Sequence, residues 1–198
     1  MKEEHNLYDN FIDEVRLYYP LSSEAVEEFI KILQIKHIKK GEYLLKQGSV
    51  PTSYGFIQEG LFSYFHTYDN GDEIIKKFFA EKSFIASTAA LIEQKPSLFA
   101  IQALEDSKIF VYPKKAYKDL MRLYPEISFF HINYLEKNWV VDKEPLEVDL
   151  KYKTAKIRYQ KFLNENKHLQ NRLKQHQISS YLGITPTQLS RIRRDLLQ

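Results

Sequence analysis

The chain has 198 residues, 43% of them hydrophobic and 14% aromatic, so it can bury a sizeable core and hold one medium domain beside a small one. It has no cysteine, which excludes disulfides, thiolate zinc sites, iron–sulfur clusters and cysteine-based redox sensing. The charged N-terminus shows no secretory signal, and no stretch approaches the roughly 20 apolar residues of a membrane helix. We therefore expect a cytoplasmic protein with no membrane partner.

Charge is distributed unevenly along the chain. From Lys151 onward there are eleven Lys and Arg residues against Glu165 and Asp195, a net charge of +9. The first 150 residues hold 18 basic and 24 acidic residues, so the overall charge of +3 hides a strongly polarised molecule. A basic segment of this kind is typical of proteins that bind a phosphate backbone.

The N-terminal third begins with two helices. Apolar residues at helical spacing predict a short helix over 7–19 that ends at Pro20. Ser22 or Ser23 can cap the next helix, whose apolar residues also follow a period of 3.6 residues.

Between His37 and Tyr112 the pattern changes to that of β-strands. Short runs rich in β-branched and aromatic residues predict strands at 38, 43–45, 54–57, 61–68, 74–79, 99–104 and 108–112. Asn70-Gly71 predicts a two-residue hairpin turn with positive φ at both residues. Seven or more short strands at near-regular spacing predict an antiparallel barrel or jelly roll.

The segment 84–91, FIASTAAL, departs from the strand pattern. It predicts a short helix whose N–H groups, with the hydroxyls of Ser87 and Thr88, could bind an anion. The alternative is a plain crossover between strands.

A longer helix follows the strands. Pro125 opens a predicted helix over 126–144 with one apolar stripe at Ile127, Phe130, Tyr134 and Val141 and a second at Ile132, Leu135 and Trp139. One stripe can pack on the barrel and the other on a second subunit; the alternative is burial of both within one chain. Pro145 and the polar stretch to Lys153 predict a hinge. Thr154 then caps a helix whose Ile157, Phe162 and Leu163 form a small core.

The C-terminal stretch 175–197 has the pattern of two short helices joined by a tight turn. Gly183 supplies the positive φ of the turn, Thr185 or Thr187 caps the second helix, and Pro186 suits its first turn. The second helix carries arginines beside the inward Leu189, which is the layout of a helix-turn-helix whose second helix enters the major groove. The alternative is an ordinary surface hairpin of two helices.

Taken together, the order of elements resembles the Crp/Fnr family of bacterial transcription regulators along essentially the full length. The matching motifs are KGEYLLKQG through GFIQEG and ISSYLGITPTQLSRIRRDL. The resemblance implies an α+β fold: an antiparallel β-barrel or jelly roll of the cyclic-nucleotide-binding type, a long dimerisation helix, and a small all-α helix-turn-helix domain. We expect a sensor domain at 1–124, the dimerisation helix and hinge at 125–150, and the DNA-binding domain at 151–198.

The resemblance also places an effector pocket. It is expected at Phe84, Ile85, Ala86, Ser87, Thr88, Ser97, Leu98 and Phe99. Members that bind cyclic AMP have a glycine and a glutamate where this chain has Ala86 and Ser87, and an arginine where it has Ser97. Serine cannot replace a carboxylate on the ribose or a guanidinium on the phosphate, so cyclic AMP is not the expected effector. The six histidines form no ligand spacing, and we expect neither a metal nor a cofactor.

DNA-binding roles are assigned by position. Arg191 is the candidate for bidentate contact with a guanine, and Thr187, Gln188 and Ser190 are neighbouring readers. Phosphate contacts are expected from Thr185, Arg193, Arg194, Lys174 and Arg172.

The predicted function is that of a homodimeric, sequence-specific DNA-binding transcription regulator rather than an enzyme. RNA polymerase and a small-molecule effector are further candidate partners, and regulation by abundance alone is the alternative to an effector. The competing interpretation is a ligand- or partner-binding module whose helix pair docks protein instead of DNA.

Overall fold

The computed structural model describes residues 2–145 and 152–196. Among these residues, helices α1 and α2 precede eight strands. One short helix, α3, lies between two strands, and five further α-helices follow. The helices are α1 Lys2–Arg16, α2 Ser23–Lys31, α3 Thr88–Glu93, α4 Lys114–Leu123, α5 Pro125–Leu135, α6 Ala155–Glu165, α7 Gln175–Leu182 and α8 Pro186–Leu196. The strands are β1 Gln34–Ile38, β2 Tyr43–Leu45, β3 Ser53–Glu59, β4 Phe62–Thr67, β5 Glu73–Phe79, β6 Phe84–Ile85, β7 Ala100–Ala103 and β8 Ser107–Pro113.

The described strands form two four-stranded antiparallel sheets. Their orders are β1-β8-β3-β6 and β2-β7-β4-β5. The predicted α+β class with an antiparallel barrel or jelly roll is thereby confirmed. The two sheets together are called the roll below. The period-2 runs produce it because alternate side chains of each strand turn toward the opposite sheet.

Strand β3 is buried on both faces, from Tyr54 to Gln58. Ile57 faces the interior between the sheets, where it packs with Phe62, Ile101 and Ile109. Phe56 faces the opposite way, into an aromatic cluster with Phe11 of α1, Phe29 of α2 and others. Helices α1 and α2 therefore cover the outer face of the first sheet, and the sheet lies between two apolar layers.

The hairpin between β4 and β5 forms where Asn70-Gly71 predicted it, but its turn is of another type. Gly71 has φ +85, whereas Asn70 is not among the described residues with positive φ. Gly71 N–H donates to the Tyr68 carbonyl (2.9 Å), and the Asn70 side chain accepts from the N–H of Asp72 (3.0 Å). The loop is therefore a three-residue turn closed by a left-handed glycine, because the Asn70 side chain stabilises its own backbone in an ordinary conformation.

The long helix over 126–144 also differs in detail from the prediction. Helix α5 is followed by a π-helical segment at Glu136–Val141. Ile127 and Phe130 are buried as expected, but Val141 is 56% exposed. The wider π turn rotates the residues after it, so the helical stripe does not extend to Val141.

The C-terminal helices form a module that packs on β5. Thr154 caps α6 by accepting from Ile157 N–H (3.4 Å). Phe162 is in the core of the module as predicted, but Ile157 is 46% exposed and Tyr159 takes the buried position. The predicted hinge falls largely on residues 146–151, which lie outside the described residues. Among the described helices, none combines the length and apolarity that a membrane crossing requires.

Edge strand β5 is covered by this module. The Ser180 hydroxyl on α7 donates to the Glu73 carbonyl (2.6 Å) and accepts from Ile75 N–H (3.0 Å). Ile75 and Phe78 join one apolar cluster with Phe162 and Leu182. Since an edge strand has unpaired backbone groups, the serine contact satisfies two of them and fixes α7 against the roll.

Candidate nucleic-acid interface and sensor cavity

The turn between α7 and α8 has the geometry of a helix-turn-helix. Gly183 adopts φ +66 and ψ 37, and its N–H donates to the Ser180 carbonyl (3.1 Å). Ile184 N–H donates to the Ser179 carbonyl (3.0 Å), so these two carbonyls in the last turn of α7 are satisfied. Buried Leu189 then anchors α8 to the core of the module.

Helix α8 begins with a reciprocal capping box. The Thr185 hydroxyl accepts from Gln188 N–H (3.1 Å), and the Gln188 side-chain oxygen accepts from Thr185 N–H (2.9 Å). Pro186 occupies the first helical position, where a missing donor costs nothing. Thr185 and Gln188, both predicted DNA contacts, are exposed, but their side chains also hold the helix start.

The outward face of α8 consists of Thr187, Arg191 and Arg194. These residues are spaced four and three apart, which places them on one side of the helix, opposite Leu189. All three are exposed, and Arg191 and Arg194 have no hydrogen bond or ion pair with another described residue. Their guanidinium groups are therefore available to an external acceptor.

The remaining predicted contacts surround this face. Ser190 is exposed, and its hydroxyl accepts from the Gln175 side chain of α7. Arg193 is exposed one position before Arg194 and lies toward the flank of the helix. Lys174 is exposed at the start of α7, where its N–H donates to the Gln177 side chain (2.8 Å).

Arg172 is engaged within the protein. Its guanidinium donates in a bidentate manner to Glu81 (both 2.8 Å) and also to Glu105 (2.6 Å). The side chain is 25% exposed, and both carboxylates belong to the roll. Burial alone would raise the pKa of Glu81, but hydrogen bonds from Arg172 and from Gly60 N–H lower that pKa to about 2.

Two of the predicted pocket residues, Ser87 and Ser97, are joined by a buried chain of hydroxyl groups. Each serine is 2% exposed, and their oxygen atoms lie 2.8 Å apart. The Tyr64 hydroxyl is 2.9 Å from Ser87, and Ser97 is also 2.7 Å from the Phe99 carbonyl oxygen. The hydroxyl groups of Tyr64, Ser87 and Ser97 are therefore hydrogen-bonded to one another.

The other predicted pocket residues divide between two cavities. Phe84, Ile85, Ala86 and Thr88 line a cavity of about 370 Å³ between the roll and α5. Leu98 and Phe99 line a second cavity of about 720 Å³ between β5 and the C-terminal module. The eight residues therefore do not surround one space.

Sequence reasoning missed several residues of the smaller cavity. Tyr54, Lys76, Lys77 and Trp139 contribute to its wall. A β-bulge brings the two lysines there: Tyr64 pairs with Lys77 and Phe65 with Ile75, which leaves Lys76 as the extra residue. A bulge in a lysine pair within an otherwise regular strand has no local sequence signal.

Over residues 2–145 and 152–196, no group of three or more His, Asp or Glu side chains could hold a metal ion. His131 lies against Tyr117, with its Nδ1 3.4 Å from the phenol oxygen. Burial, with a smaller contribution from Lys118, lowers the pKa of His131 to about 4, so the ring is neutral at pH 7.

Residues 35–124 match the cyclic nucleotide-binding domain family. No curated protein matches the chain by sequence.

Solved structures match the fold along most of the chain. The c-di-GMP-responsive global regulator CLP of Xanthomonas campestris matches with TM-score 0.72 and 12% identity, over 89% of this chain and 92% of its own. FixK2 of Bradyrhizobium japonicum matches with TM-score 0.70 and 14% identity, over 83% and 84%. A protein of Eubacterium rectale described as a regulator of the crp/fnr family matches with TM-score 0.69 and 20% identity, over 91% and 87%. The resemblance to the Crp/Fnr regulators is therefore confirmed at the level of the fold.

Proposed function

We propose that this chain, with the fold of the Crp/Fnr regulators and a cyclic nucleotide-binding domain at residues 35–124, is a DNA-binding transcription regulator. The observation that carries the proposal is the outward face of α8, with Thr187, Arg191 and Arg194 exposed on one stripe. A recognition helix needs one face that is buried against its own domain. It also needs a free cationic face that can enter the major groove. The basic charge from Lys151 onward supports the same function.

Two arginines on this face have different roles in the proposal. Arg191 lies near the middle of α8 and reads a guanine edge, whereas Arg194 lies one turn further on and contacts phosphate. Arg191→Ala should therefore cost roughly 1 to 3 kcal/mol on the preferred duplex and relax selectivity at one base pair. Arg194→Ala should weaken all duplexes alike and reduce the salt slope by about one.

The test begins by selecting a preferred duplex from a random library, followed by fluorescence anisotropy over a range of salt concentrations. Steep salt dependence is expected, because neutralised phosphates release counterions. Equal loss on selected and random duplexes for Arg191→Ala would contradict its role as a base reader. Absence of duplex binding at low salt would instead favour a module whose helix pair docks another protein.

We also propose that the active form is a homodimer. Helix α5 and the π segment expose Phe129 (48%), Ile132 (46%) and Val140 (62%), and Leu123 at the end of α4 is 71% exposed. Exposed apolar side chains grouped along one helix are a typical subunit interface. Ile132→Glu should yield monomers in sedimentation experiments, whereas Val50→Glu, at a similarly exposed apolar residue of the roll, should not. A dimeric Ile132→Glu variant would contradict this interface.

The domain boundaries at 124 and 150 remain part of the proposal, as do Phe84, Ile85, Ala86 and Thr88 as effector-pocket residues and a sensor that does not bind cyclic AMP. The hydrogen-bonded Tyr64–Ser87–Ser97 chain supports this, because it supplies no cation for a phosphate. Binding of a cyclic phosphate at Ser87 and Ser97 would require breaking these hydrogen bonds, and neither serine carries a positive charge to replace them. Titration with cyclic AMP, followed by the fluorescence of Trp139, should show no saturable change, and a saturable change would overturn this part.

A further inference from the structure

Aromatic side chains make up nearly half of the wall of the smaller cavity, which lies between the roll and α5. Ten of its 21 described lining residues are Phe, Tyr or Trp, among them Tyr64, Phe84, Tyr134 and Trp139. Its volume of about 370 Å³ lies in the range of small-molecule sites. Flat rings with polar edges favour a flat apolar guest, because ring-on-ring contact adds to the burial of apolar area.

Two lysines provide the cationic end of this cavity. The bulge in β5 sets both Lys76 and Lys77 opposite Tyr64, whereas a regular strand would turn them to opposite faces. Lys76 lines both cavities: its Nζ lies 5.6 Å from the ring centre of Trp139 in the smaller cavity and 4.7 Å from that of Phe99 in the larger one. Lys77 Nζ lies 5.0 Å from the ring centre of Phe79. Both lysines are exposed to solvent, and their ammonium groups lie over aromatic rings at the cavity wall.

The surroundings of the two lysines, among the residues that the structure describes, disfavour their charged forms. Desolvation lowers the pKa of Lys76, and Lys143 lowers it further. Desolvation also lowers the pKa of Lys77, against a smaller opposite effect of Asp142. Asp142 is paired with Lys137 (2.8 Å), so its charge is shared. An anion beside Lys76 and Lys77 would stabilise the charged forms of both lysines.

The inner wall also has an unsatisfied polar group. Tyr54 is 8% exposed, and its hydroxyl has no hydrogen-bond partner among residues 2–145 and 152–196. Its ring stacks on Tyr112, with ring centres 5.5 Å apart. A buried donor without an acceptor costs stability unless a ligand or water meets it.

We propose that this cavity binds a compact aromatic carboxylate, with its ring between the aromatic side chains of the roll and α5 and its carboxylate between Lys76 and Lys77. This inference names the ligand class of the effector pocket. It rests on the proposed function only where it concerns the effect of the ligand on DNA binding. Because the walls come from the roll, from α5 and from Tyr181 of α7, an occupied cavity contacts both the sensor and the helix-turn-helix module.

The test is isothermal titration calorimetry with three probes. These are 2-naphthoate, its neutral analogue 2-naphthamide, and decanoate, an aliphatic carboxylate. We expect 2-naphthoate to bind with a dissociation constant below about 1 mM and the other two probes to bind at least about tenfold more weakly. Trp139 is the single tryptophan of the chain and lines the cavity, so its fluorescence reports binding at this place.

Variants locate the carboxylate. Lys76→Met and Lys77→Met keep the aliphatic stem and remove the charge, and each should weaken 2-naphthoate binding about tenfold. Lys77→Arg should retain binding. Lys36→Met, an exposed lysine on β1 away from both cavities, is the matched control and should change nothing. Thermal unfolding of each variant verifies that the fold is intact.

The outcomes separate this inference from the proposed function. No binding of 2-naphthoate, equal binding of 2-naphthamide, tighter binding of decanoate, or an effect of Lys36→Met equal to that of Lys76→Met would each overturn it. Duplex binding is measured on the same protein. A protein that binds duplex but not 2-naphthoate loses the ligand inference alone, whereas one that binds 2-naphthoate but not duplex loses the proposed function alone.

Discussion

The guanidinium of Arg172 forms two parallel hydrogen bonds of 2.8 Å with the carboxylate of Glu81 and joins residues 91 positions apart in the chain. Glu105 accepts further hydrogen bonds from the same guanidinium. This clamp and the Ser180 contact to β5 together fix the helix-turn-helix module on the roll. An arginine expected to meet DNA phosphate instead meets two carboxylates of its own chain.

The first prediction concerns the acid stability of this clamp. Because the folded-state pKa of Glu81 is lowered from 4.5 to about 2, its contribution to stability is present above pH 4.5 and lost as the pH falls toward 2. We expect the free energy of unfolding, measured in urea at a series of pH values, to decrease in this window. Glu81→Gln should remove that part of the pH dependence.

Arg172→Met tests the cause of the effect. Without the guanidinium, the Glu81 pKa loses its main lowering contact, so the same part of the pH dependence should disappear. An Arg172→Met variant with an unchanged acid profile would show that the clamp is not its origin.

The second prediction concerns His131. Its folded-state pKa of about 4 lies below the ordinary 6.5, chiefly because of burial, so the folded protein resists protonation there. Stability is fully present above pH 6.5 and decreases as the pH falls toward 4, since the unfolded chain takes up the proton first. His131→Phe should abolish this one-proton slope in unfolding experiments between pH 6.5 and 4. A slope that survives the substitution would assign the effect to another group.

The third prediction compares two buried tyrosines. The Tyr64 hydroxyl is hydrogen-bonded to Ser87, whereas the Tyr54 hydroxyl has no partner among the described residues. Tyr64→Phe should lower the free energy of unfolding by about 1 kcal/mol, and Tyr54→Phe should leave it unchanged or raise it. Each variant is the control for the other, because both remove one oxygen atom from a buried ring. Similar losses in both would mean that the Tyr54 hydroxyl is satisfied in the protein.

The sequence predicted the elements whose cause is local. Gly183, Thr185 and Pro186 each determine the start or end of a helix through their own backbone or hydroxyl, and all three act as expected. The strand positions follow from a period of two, which is also local. By contrast, the Arg172–Glu81 clamp depends on residues that only the folded chain brings together.

The candidate site was less predictable because its residues, too, are brought together only by the folded chain. Lys76 and Lys77 read as alternating residues of a strand, and only the bulge turns both toward one cavity. Trp139 reads as part of an apolar stripe, but the π segment contributes it to the cavity wall. Irregularities of one residue change which side chains share a space, and nothing in the local composition indicates where they occur.

The last prediction concerns two glycines in turns of the roll. Both have positive φ, +113 at Gly60 and +85 at Gly71, but their surroundings differ. An added Cβ at Gly60 would lie 2.0 Å from Ser107 Oγ and 2.9 Å from Ser107 Cα, whereas one at Gly71 would meet nothing within 4 Å. Gly71→Ala should therefore cost only the backbone strain of roughly 1–2 kcal/mol. Gly60→Ala adds a clash with a neighbouring backbone atom, so we expect a loss of more than about 3 kcal/mol in thermal or urea unfolding. Adding Ser107→Gly to Gly60→Ala should recover part of this loss, and equal losses in the two single variants would contradict the close approach of Gly60 to Ser107.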